Sequence, residues 1–159
     1  MLRVSAVRLL PAALLSLTLL STAASGQPRR PAARRPTVAE LVASARAQVA
    51  AHHPAEALAV LESVPPRARA TAPVAAARAM ATFDTLGVRL EPMAARALAP
   101  SARRDLDAIV RTLTAWVAAH GDDGPALLTL GRALMARGDL ELAAARLGAA
   151  TRLAPDDPV

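Results

Sequence analysis

Apolar and polar positions alternate along this chain with the period of a helix, and no run shows the strict two-residue alternation of a half-buried strand. From Thr37 onward alanine and leucine dominate, while valines are few and Ile109 is the one isoleucine, so intrinsic preference favours helices. Thr37 and Glu40 form a T-x-x-E capping box ahead of a helix that should run to about Ala51, where His52, His53 and Pro54 end it. A second helix is expected over Ala55 to Val64, closed by Pro65 and Pro66, and a third over Val74 to Leu86, stopped by Gly87. A short fourth is expected over Pro92 to Leu98. Ser101 to His120 carries the clearest stripe: Leu106, Ile109, Val110, Leu113, Trp116 and Val117 fall on one face, with Ser101 as cap and Gly121 as stop. Two more helices, turned at Gly138, occupy the stretch from Leu127 to Pro155. The expected fold is all-α, with about seven helices in roughly three hairpins.

In that last stretch Leu127, Leu130, Gly131 and Leu134 lie on one helix and Ala143, Leu147 and Ala150 on the next, followed by Pro155. Gly131 and Ala143 are small enough to let two backbones approach, and Leu127, Leu134, Leu147 and Leu153 are placed to fill the space beside them. This pattern resembles one tetratricopeptide repeat, clearest over residues 124–157. Leu41, Ala45, Ala57, Leu61 and Val64 repeat the spacing of Leu127, Gly131, Ala143, Leu147 and Ala150. The middle departs from the family: a shift by the ~34-residue period puts Pro100 at the place of Leu134 and Arg104 at that of Gly138. It does match Leu113 with Leu147, so Ser101 to His120 is read as a lengthened second helix of a degenerate unit.

The resemblance implies a helix-turn-helix α-solenoid over residues 37–159 that acts as a scaffold for a protein or peptide and has no catalytic role. It also implies a groove lined by the first helix of each unit, which in the last unit presents Leu128, Arg132 and Met135 as partner-binding residues. Many family members hold a peptide carboxylate there with lysine and asparagine, but this chain has neither, and that clamp is not carried over. Packing of Leu128 and Met135 against a neighbouring helix is the competing use of that face.

Charge and composition sharpen this picture. Arg3 and Arg8, the apolar run Leu9 to Leu20 and the small residues Ser21 to Gly26 have the order of a secretory signal, residues 1–26, with cleavage after Ala24, Ser25 or Gly26. Export to the periplasm or beyond is expected, an uncleaved anchor being the alternative. Gln27 to Pro36 is an Arg/Pro-rich linker, read as an extended spacer. Its arginines could instead tether the chain to anionic lipid or acidic polymer in the envelope, a rival function in which the helices are a passive body. The net charge of +6 comes from these two segments, since Thr37 to Val159 holds 13 arginines and 13 acids. With one Phe, one Trp and no Tyr there is no stacking platform either, which argues against nucleic acid as partner.

No assembled chemistry is expected. Cysteine is absent, so thiol catalysis and disulfides are excluded. His52 and His53 are adjacent and cannot share a helix face, and with His120 they are read as turn and helix-end residues in preference to metal ligands. Asp122-Asp123 and Asp156-Asp157 are read as loop acids that cap a following helix, not as paired catalytic carboxylates. Ser44, Ser63 and Ser101 have no glycine loop or histidine at a useful spacing, and no cofactor motif occurs. Trp116, flanked by Leu113 and Val117, is expected in the core. Leu140, Leu147 and Leu153 on the last helix are expected to leave an apolar face that could pair two protomers, meet a partner or pack on a further segment of a longer relative.

Overall fold

Every regular element among the described residues is helical, as the pattern requires. The computed structural model describes residues 34–88 and 94–154, and among them there are six α-helices and no strand. They are α1 (Val38–Ala50), α2 (Pro54–Glu62), α3 (Ala72–Thr85), α4 (Pro100–Ala119), α5 (Gly124–Arg137) and α6 (Leu140–Leu153). The proposed signal segment and most of the linker lie outside the described residues, as do Asp156 and Asp157. The described residues from Arg35 onward form one compact unit. None of the described helices is long and apolar enough to cross a membrane.

Local chemistry sets the helix ends. The Thr37–Glu40 box is complete: the Thr37 N–H donates to Glu40 Oε2 at 2.7 Å and the Glu40 N–H to Thr37 Oγ1 at 3.3 Å. Gly138 ends α5 in the left-handed region at φ 99°, a conformation that suits a residue without Cβ, and its N–H bonds back to Leu134 and Met135. Two expectations fail. The short helix over Pro92 to Leu98 is a single 3-10 turn, Ala94–Ala97, among the described residues. Ser101 does not cap α4, because Pro100 begins the helix and Ala99 becomes the cap residue: proline fixes the φ that starts a helix, and the N–H it lacks is one that the first turn leaves without a partner inside the helix.

The helices pack as hairpins α1–α2, α3–α4 and α5–α6, with α3 against α1 and α2 on one side and α5 against α3 and α4 on the other. The core is two clusters that meet on α3. Val74, Ala77 and Ala81 face Val42, Ala45, Ala57 and Leu61, while Ala76, Met80 and Phe83 join Leu106, Ile109, Leu113, Leu127 and Leu130. A helix buried on both sides needs small residues, and α3 supplies alanines at four of its buried positions. In the last hairpin a Cβ at Gly131 would stand 2.7 Å from Leu147 Cγ and 3.2 Å from its backbone nitrogen, so the missing side chain is what lets α5 and α6 touch. Leu127 and Leu134 are buried beside this contact as expected, and Leu147 is half-buried. Leu153 does not fill that space: it stands at the far end of the hairpin beside Gly124, the first residue of α5, which has no side chain to cover it, and it is 47% exposed.

Candidate functional site

A cavity of about 370 Å³ is lined by the first helix of each hairpin and the end of α6. Arg46, Val49 and Ala50 come from α1, with His52 from the turn after it. Met80 and Asp84 come from α3, Leu128, Thr129 and Arg132 from α5, and Ala150, Thr151 and Ala154 from α6 and its end. Gly124 and Pro125 at the start of α5 complete the wall. The floor is apolar: Met80 is 1% exposed, and Val49 and Leu128 pack partly buried against the same core.

Leu128 and Arg132 both line this cavity from the first helix of the last hairpin. Met135 is elsewhere, half-buried against the main core cluster and absent from the lining. Two turns beyond Leu128, it shares that face of α5 but lies roughly 10 Å farther along the helix, past the cavity. The lining residues that sequence reasoning missed, Arg46, Asp84 and Met80, belong to hairpins whose groove positions carry no local mark. The one available signal was their place on first helices.

One carboxylate joins the three hairpins beside this cavity. Asp123 caps α5 through the Ala126 N–H at 3.2 Å, accepts from Trp116 Nε1 of α4 at 2.6 Å, and forms an ion pair with the guanidinium of Arg46 on α1. Its side chain is only 7% exposed. Burial pushes its carboxyl up, but the bonds from Arg46, Trp116 and Ala126 and the charge of Arg46 outweigh that and hold it below the usual carboxylate value. Asp123 thus performs the capping role read from the sequence and two further ones that the sequence did not suggest. Trp116, expected in the core, lies half-buried at its edge, with one face stacked on His120 at a centroid distance of 3.7 Å and its N–H turned to Asp123.

Asp84 has the opposite balance. Partial desolvation against the cavity wall pushes its carboxyl up, against the pull of Arg132 and His52, although its outer side meets solvent. His52 reaches the lining through a left-handed backbone at φ 60°. His53 instead lies within 3.3 Å of Gln48 Oε1. The Ser63 hydroxyl donates to the Val60 carbonyl at 2.6 Å. Among the described residues no group of three or more His, Asp or Glu is placed to hold a metal ion.

The fold and site define an all-α, repeat-like helical protein with a cavity on the inner helices of its hairpins. No family model, curated protein or solved structure matches the chain.

Proposed function

We propose that this chain is an exported, non-catalytic scaffold of the tetratricopeptide-repeat kind that receives a protein or peptide segment in the cell envelope. The observation that carries the reading is that the first helices of all three hairpins line one cavity, with an apolar floor and charged groups at its rim. Such a site suits a partner that buries an apolar side chain and is oriented by a few polar contacts. The N-terminal sequence supports the location, and Leu128 and Arg132 are the residues assigned to the partner.

The test is capture from an envelope extract by the full-length protein and by its Leu128→Glu and Arg132→Glu forms, at low and high salt, followed by binding of purified partner segments. Loss of a partner in both variants, with circular dichroism unchanged, is the expected result. Material recovered equally by all three proteins and lost only at high salt would move the function to the Arg/Pro-rich segment.

A further inference from the structure

Apart from His52, which acts on Asp84 by charge, the polar side chains of the cavity fall into two sets. Arg46 is engaged by Asp123, the Thr129 hydroxyl donates to the Pro125 carbonyl at 2.9 Å, and the Thr151 hydroxyl to the Leu147 carbonyl at 3.0 Å. Asp84 and Arg132 are different. They line the same cavity from α3 and α5 and attract each other by charge, yet among the described residues neither side chain makes a hydrogen bond or an ion pair. An anion and a cation thus face one space without meeting, beside the apolar surface of Met80, Leu128 and Val49.

A ligand in this space must answer both charges. A wholly apolar one would remove water from Asp84 and Arg132 and replace it with nothing. One ending in a carboxylate could pair with Arg132 but would set its own negative charge beside Asp84. A cation with an adjacent carbonyl meets both, and a peptide amino terminus has that arrangement within one residue. The volume also fits, since 370 Å³ is near the lower end of ligand sites, at roughly 300–1,000 Å³, and suits one side chain with its first peptide group.

We propose that the cavity binds the amino-terminal end of a peptide whose first residue is apolar, with its ammonium on Asp84, its first carbonyl accepting from Arg132, and its first side chain against Met80, Leu128 and Val49. This rests on the scaffold reading above and names the end of the partner that the site takes.

The probes are Leu-Ala-Ala-amide with a free amino group, its N-acetyl form, and N-acetyl-Ala-Ala-Leu with a free carboxylate. Each is titrated into the full-length protein by calorimetry, with the emission of Trp116, the sole tryptophan, as a second readout. The free-amine peptide is expected to bind tightest, and acetylation to weaken it about tenfold or more, as loss of a charged hydrogen bond would. Asp84→Asn should remove the preference for the free amine, and Arg132→Gln should weaken both amide-ended probes. Asp84 is on the rim, so Asp84→Asn should keep the wild-type helical spectrum. Equal affinity for the acetylated form, or tighter binding of the carboxylate-ended probe, would overturn the proposal. If no probe binds while the envelope partner is still captured and still lost on Leu128→Glu, the amino-terminus proposal falls and the scaffold reading stands; if the partner is not captured either, both fall.

Discussion

At the scale of single residues, Asp123 carries the most structure per atom. Its carboxylate replaces three separate interactions with water by one cap, one indole bond and one ion pair. Loss of the cap costs about 1 kcal/mol, and loss of a charged hydrogen bond about 1.5–3 kcal/mol. Arg46 remains 29% exposed and can be rehydrated, so the lower end applies. Asp123→Ala should therefore lose about 2 kcal/mol in urea unfolding and shift the Trp116 emission to the red. Asp123→Asn, which keeps a capping oxygen but not the charge, should lose about half as much. The pH dependence has a definite sign. Because Asp123 is held below its unfolded value, its contribution is fully present above about pH 4 and is lost as pH falls through the folded value. Asp84, pushed up, works the other way and softens this limb as it takes its proton. Urea midpoints measured from pH 6 down to pH 2 should fall at the acid end, and less steeply in Asp123→Asn.

At the scale of elements, the α5–α6 hairpin depends on an atom that is missing. Gly131→Ala would place a Cβ against Leu147, whose backbone nitrogen cannot swing aside as a side-chain end can. Overpacking of this kind costs roughly 1–3 kcal/mol. The clash is with one neighbour, so Gly131→Ala and Leu147→Ala should be non-additive, the double variant losing less than the sum of the singles. Chemical denaturation of the four proteins in the cycle measures the coupling, and strict additivity would mean that the helices separate instead of repacking. The 3-10 turn at Ala94–Ala97 makes a complementary point. Composition there favours a helix, but a segment of a few residues has too few backbone bonds to offset nucleation, and its surroundings decide its form.

At the scale of the molecule, hairpins contact mainly their neighbours, but Arg46 reaches farther. It reaches from the first hairpin to the start of the third, a separation of 77 residues, and lines the cavity as it does so. The α1–α2 hairpin has its own smaller core of Val42, Ala45, Ala57, Leu61 and Val64, and is otherwise held by α3 and by the Arg78–Glu62 pair at 2.8 Å. Arg46→Ala should therefore loosen one end of the molecule selectively. Amide exchange by mass spectrometry is expected to speed up in α1 and α2 while α5 and α6 keep their protection; uniform acceleration would show that the ion pair supports the whole stack.

Much of the architecture was legible in the order of residues. Helical periodicity located α1 to α6 to within a few residues, the Thr37–Glu40 box and Gly138 marked their ends, and the stripe from Leu106 to Val117 named the buried face of α4, because these are local consequences of 3.6 residues per turn and of unsatisfied backbone groups. Gly131 was legible as a place of close approach, although the sequence set it against Ala143 and the structure sets it against Leu147. Leu128 and Arg132 were legible only through a resemblance, and their neighbours on α1 and α3 were not legible at all. Nothing local distinguishes Arg46 or Asp84 from other charged residues on helical surfaces. Their meaning comes from what the packing of three hairpins brings near them: Asp123 for one, and an apolar cavity with Arg132 for the other. Periodicity decides which face of a helix is buried, whereas only tertiary structure decides which charges share a space and which of them find a partner there.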